Sequence, residues 1–149
     1  ITLGKGLGGG VPIGAFIAKE HCAALELGDH GSTFGGNALT CAAAYASTSY
    51  IIENDLPSNA DAMGKRLMVG LTDLRTSFPF ITEVRGMGLL LVMEFSEDIS
   101  GKLVPMCNEE GLLLNPVRPN AVRFMPPLTV TADEVDGAVA RLATALNRV

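Results

Sequence analysis

The sequence predicts a chain in two parts: a glycine-rich loop leading into a helix, followed by an α+β unit of two-layer type. Three observations carry this expectation. The opening "ITLGKGLGGG" is crowded with glycine, which a backbone needs where it turns tightly or runs close to a bound group. The segment "NALTCAAAYASTSYIIEND" is rich in alanine, the strongest helix former. Beyond Pro79, apolar runs broken by Gly and Pro alternate with helical periodicity, the pattern of a small sheet covered by helices.

Taken in order, "VPIGAFIAK" (residues 11–19) alternates and carries β-formers, so it reads as a short strand after the glycine loop. "EHCAALELGDHGSTFGGN" reads as a brief helical turn and then a polar, glycine-rich loop. Asn37 is placed to cap the alanine-rich helix, which its small side chains predict to be largely buried. Pro57 is expected to end that helical region and Ser58 to cap the next helix. In that second helix Ala62, Leu67, Leu71 and Leu74 share a face, and Pro79 terminates it. "ITEVRGMGLLLVMEF" and "GLLLNPVRPNAVRFMPPLTV" read as strands, with "PMCNEEG" a short helix between them. The last segment opens on a capping box, Thr131 and Glu134, and aligns Val135, Val139, Leu142 and Leu146 on one stripe of an amphipathic helix.

Composition narrows the function. The 149 residues are 48% hydrophobic, with a mean hydropathy of +0.32 and a formal net charge of −5. This suits a globular domain with some apolar surface meant for a partner. The 11 basic residues form no run, which argues against binding to nucleic acid or to an anionic membrane. No apolar stretch reaches the length of a membrane span. Cys22, Cys41 and Cys107 are odd in number and lack histidines at ligand spacing. They read as buried thiols of a cytoplasmic protein rather than a disulfide or zinc framework. The absence of an initiator methionine and a start within a strand-to-loop passage read as a fragment or processed chain.

Gly4, Gly6 and Gly9 satisfy the spacing of a dinucleotide fingerprint, but that motif needs a helix to open after it, and here a strand is expected. A Walker loop is excluded by the position of Lys5 and the lack of a following hydroxyl. In isolation Lys5 is either a reactive amine in a tight loop or a solvated turn lysine.

Read together, "TLGKGLGGGVPIGAFIA", "GDHGSTFGGNALTCAAA", "VRGMGLLLVMEF" and "VRFMPPLTVTADEVDGAV" resemble, in this order, the C-terminal part of the class III (fold type I) aminotransferases that use pyridoxal 5′-phosphate. The segments look most like the branch that acts on acetylornithine, with the branches that act on ornithine and succinylornithine as near relatives. The resemblance implies an α/β transferase fold overall. Residues 1–54 would be the C-terminal part of the large cofactor-binding domain, and residues 55–149 the small C-terminal α+β domain. It implies amino transfer to 2-oxoglutarate in arginine biosynthesis by a cytoplasmic homodimer with shared active sites.

By the same resemblance, Lys5 is the catalytic and cofactor-binding lysine that condenses with the cofactor's aldehyde. Thr33 reaches the cofactor phosphate of the neighbouring subunit, Ser32 lies beside the substrate, and Arg123 binds a substrate carboxylate. Taken without it, Ser32 and Thr33 read as turn hydroxyls, and Arg123 as one member of a structural ion pair. The phosphate loop, the stacking aromatic and the aspartate of the cofactor's pyridine lie upstream of the matched segments in that family. Weak cofactor binding and no turnover are therefore expected of these 149 residues alone.

Arg85 reads as structural, His21 and His30 as loop histidines without metal partners, and no metal site is expected. The pairs Glu109–Glu110 and Asp133–Glu134 are read at helix starts, where the dipole favours negative charge. Two other readings stand beside the enzyme: a non-catalytic folding unit of it, and an independent binding domain with Lys5 exposed and remote from any pocket.

Overall fold

The structure, a computed structural model, describes residues 1–149 as two compact units, Ile1–Asp55 and Leu56–Val149. In the first, strand β1 (Thr2–Leu3) pairs antiparallel with β2 (Ala15–Phe16), with Thr2 opposite Phe16 and Leu3 opposite Ala15. The strand expected over residues 11–19 therefore contracts to two residues. Its partner leaves the ladder at Gly4, and Pro12 has no N–H to donate. Between the strands, Lys5–Gly8 form a single 3-10 turn.

A second such turn, Glu20–Cys22, precedes the polar loop. Helix α1 (Ala38–Glu53) then starts at Asn37, whose Oδ1 accepts the backbone N–H of Thr40 at 3.0 Å. The helix packs against the Lys5–Gly8 turn, where a side chain at Gly8 would strike Ile13. It is not largely buried, as its alanines suggested: only Thr40 and Ala44 are, while Leu39 and Tyr45 are 74% and 77% exposed. Small side chains permit close packing but do not supply the partner.

The second unit is two-layered. Helix α2 (Leu56–Ser77) opens one residue before Pro57 instead of after it. Proline is tolerated in a first turn because its missing N–H would be unpaired there anyway, so Ser58 lies inside the helix and caps nothing. The break from α1 falls at Asp55, in the left-handed region with φ 46°. Ala62 faces water, and the inward face is Met63, Gly64, Leu67, Leu71 and Leu74. Gly64 allows α2 to approach the turn at Gly88, since a Cβ there would sit 2.3 Å from the Gly88 carbonyl oxygen.

Strands β3 (Ile81–Met87), β4 (Leu90–Phe95), β5 (Asn115–Arg118) and β6 (Ala121–Phe124) form an antiparallel sheet in the order β3-β4-β6-β5. Helix α3 (Ser100–Glu109) is longer than "PMCNEEG" and contains Pro105. Helix α4 (Ala132–Leu146) carries the expected capping box, and Val135, Leu142 and Leu146 are buried, with Val139 half-buried. These helices meet Leu91, Met93 and Phe95 of β4 and Val122 and Phe124 of β6 in one continuous core.

Glu109 and Glu110 close α3 instead of opening it. The dipole disfavours negative charge there, and arginines offset it: Arg148 reaches Glu109 at 2.5 Å and Glu110 at 3.1 Å, and Arg141 donates to the Glu110 carbonyl at 2.7 Å. Cys22 and Cys41 are exposed, contrary to their reading as buried thiols. They belong to the unit without a core. Cys107 is buried in α3, and burial, then the charge of Glu110, pushes its thiol up to about 11. No helix is long and apolar enough to cross a membrane.

Candidate active site

The first unit holds a cleft of about 730 Å³ lined by Lys5, the run Gly10–Gly14, Ser32, the run Phe34–Asn37, and Thr40. Its shape follows from local backbone. Lys5 adopts φ 54°, a left-handed conformation uncommon for a residue with a side chain, and Gly9 and Gly10 follow at φ 62° and 128°. The chain thus reverses within a few residues and sets the lysine on the cleft wall. The Lys5 amine makes no hydrogen bond and no ion pair, and no carboxylate lines the cleft.

Ser32 is on the wall as well. Its Oγ accepts the backbone N–H of Gly35 at 2.8 Å, which shapes the loop and leaves the hydroxyl proton free to donate. Thr33 is exposed and does not line the cleft. Asn37, read in the sequence only as a helix cap, and Thr40, which the sequence did not single out, do line it, because the N-terminus of α1 closes one side. The unpaired N–H groups of such a terminus add positive potential to that of Lys5.

Arg123 belongs to the second unit. It sits on β6 with its side chain on the sheet face away from the helices, in a cross-strand row with Arg85 of β3, Val92 of β4 and Asn115 of β5. Its Nη2 donates to Asn115 Oδ1 at 3.0 Å, and its buried Nε has no partner. No carboxylate lies within ion-pair distance of it. The nearest acids on this face are engaged elsewhere: Arg85 is bonded to Glu94 and lies 3.4 Å from Glu83. Those two glutamates oppose each other across β3 and β4, and like charges so placed repel. Arg85 relieves that repulsion, which gives it the structural role expected of it, and Arg123 is left without an acid.

His21 and His30 are exposed, and no group of three or more His, Cys, Asp or Glu residues is arranged to hold a metal.

The family signature described as Aminotransferase class-III matches residues 1–146. An acetylornithine aminotransferase from Thermosynechococcus vestitus is 46% identical over 149 residues, which cover 97% of this chain and 36% of that protein. The chain spans little more than a third of the length of the curated relatives it matches. Among solved structures, an acetylornithine aminotransferase from Elizabethkingia anophelis superposes with a TM-score of 0.92 at 31% identity, covering 99% of this chain and 40% of that one. The ornithine aminotransferase of Toxoplasma gondii gives a TM-score of 0.90 at 35% identity, covering 99% and 36%.

Proposed function

Since the chain belongs to the class-III aminotransferase family, we propose that the enzyme it forms transfers an amino group from N-acetylornithine, ornithine or succinylornithine to 2-oxoglutarate, using pyridoxal 5′-phosphate. The observation that carries this reading is Lys5: an amine without partners, on the wall of a cleft free of carboxylates. The cleft suits an anionic aldehyde, because a cation, a free hydroxyl proton at Ser32 and a helix N-terminus converge there and no acid repels it. When bound, the cofactor supplies an electron-withdrawing ring that stabilises negative charge at the carbon bearing the amino group.

This chain's residues do the rest. Lys5 Nζ would hold the cofactor through its aldehyde carbon, with loss of water, and as the free amine would accept the proton lost from the carbon bearing the substrate's amino group. Arginine at position 5 could do neither, since its guanidinium stays protonated. Ser32 donates towards the substrate. Thr33, outside this cleft, serves the cofactor phosphate of a neighbouring subunit, so two copies complete each site. Arg123 binds a substrate carboxylate through a planar fork of N–H donors. In this reading residues 1–54 end the large domain and residues 55–149 form the small one. The enzyme is a cytoplasmic homodimer of arginine biosynthesis, and these 149 residues alone bind the cofactor weakly and do not turn over.

Reduction of the cofactor-loaded, complete enzyme with borohydride, followed by peptide mass analysis, tests the assignment. The adduct is expected on the peptide containing Lys5. An adduct confined to Lys19 or another lysine would return Lys5 to a turn residue.

A further inference from the structure

The geometry points to Asn115 as a positioning residue for Arg123, one that holds the guanidinium with a neutral carbonyl so that its charge stays available to a substrate carboxylate. This rests on the reading of Arg123 given above. Asn115 opens the edge strand β5 directly opposite Arg123 on β6, and Val92 of β4 lies opposite it on the other side. The Arg123 side chain is thus flanked in register by one apolar residue and one amide.

The amide accepts a single Nη2 hydrogen, at 3.0 Å. A guanidinium has five N–H donors, so this bond restrains the side chain and leaves most of its donors for a ligand. Nε is buried without a partner and closed to a ligand as the side chain stands, so a carboxylate would be met by Nη1 and by the Nη2 hydrogen that Asn115 leaves free.

The neutrality of the amide is the decisive chemical feature. Aspartate has nearly the same shape and would bind the arginine more strongly through a charge-assisted bond, but it would compete with the ligand for the same cation. The neighbouring sheet positions follow the same logic, because Glu94 on this face is bonded to Arg85. A purely structural role for Asn115 makes the opposite demand, since aspartate would then serve at least as well.

Binding of glutarate, a dicarboxylate with no amine or oxo group, to the complete cofactor-loaded enzyme reads this out by calorimetry, together with the thermal midpoint. Arg123→Ala should weaken glutarate about a hundredfold, the loss of a charge-assisted pair. Asn115→Ala should weaken it about tenfold, within the coupling range of directly contacting residues, and should add nothing on the Arg123→Ala background. Asn115→Asp should weaken it more than Asn115→Ala does, while the thermal midpoint holds or rises. Wild-type affinity in Asn115→Ala or Asn115→Asp, or a full second loss in the double variant, would overturn the positioning role while leaving Arg123 as the clamp. Unchanged affinity in Arg123→Ala would instead overturn the reading of Arg123, and the inference with it.

Discussion

In Ile1–Asp55 only Gly8, Thr40 and Ala44 are buried, whereas in Leu56–Val149 every strand but β5 and every helix contributes to one core around Leu71, Met93, Phe95, Leu103 and Leu142. The first unit instead holds Lys5 and Ser32 on a cleft shaped by glycines, a left-handed lysine and a helix start. The two units are therefore held by different physics. The second is specified by apolar burial, which tolerates no loss of volume. In the first, short-range hydrogen bonds and backbone conformation set the geometry of the cleft, and Phe34, Leu39, Tyr45 and Ile52 remain exposed. Under the proposed function, the reactive amine sits on a loop and stability resides in packed elements, a common division.

The sharpest way to break this comparison is to separate activity from stability. Lys5→Ala in the complete enzyme should abolish turnover and the visible absorption of the bound cofactor while leaving the unfolding midpoint in place. Residual turnover near wild type would remove Lys5 from the chemistry.

Next in size is the stability of the two helices compared. Leu71→Ala empties a fully buried site of α2 and should cost about 2–5 kcal/mol in urea unfolding. Leu39→Ala, on the exposed flank of α1, should change stability by less than about 0.5 kcal/mol. Equal losses would show that the first unit is held by a core after all.

The smallest effect concerns the cap of α4. The backbone N–H of Thr131, then its hydroxyl, holds the Glu134 carboxyl below its ordinary value of 4.5. A carboxylate lowered in the folded state contributes stability that is complete above its ordinary value and is lost as pH falls through the lowered one. Thermal midpoints measured from pH 6 down to 3 should therefore fall less steeply in Glu134→Gln than in wild type. Parallel curves would mean that the cap is indifferent to charge.

Several local signals in the sequence were faithful, although Pro57 and Ser58, which lie inside α2, were not. Asn37 caps α1, Thr131 and Glu134 form the capping box, Pro79 follows the end of α2, and the stripe through Val135, Leu142 and Leu146 is buried. Four ordered motifs also pointed to the class-III aminotransferases, because glycine spacing around Lys5 and the proline-locked "RFMPPL" are written in consecutive residues. What depends on distant partners was not legible. Helix α1 has the composition of a buried helix and little to bury against, Cys22 and Cys41 share its exposure, and the strand expected over residues 11–19 shrank to the length of its partner. The row Arg85, Val92, Arg123 and Asn115 comes from four strands and exists only through sheet register. Composition determined which residues could pair, and the sheet decided that Glu94 pairs with Arg85 and Asn115 with Arg123, since side chains far apart in sequence meet only when the backbone ladder brings them opposite one another.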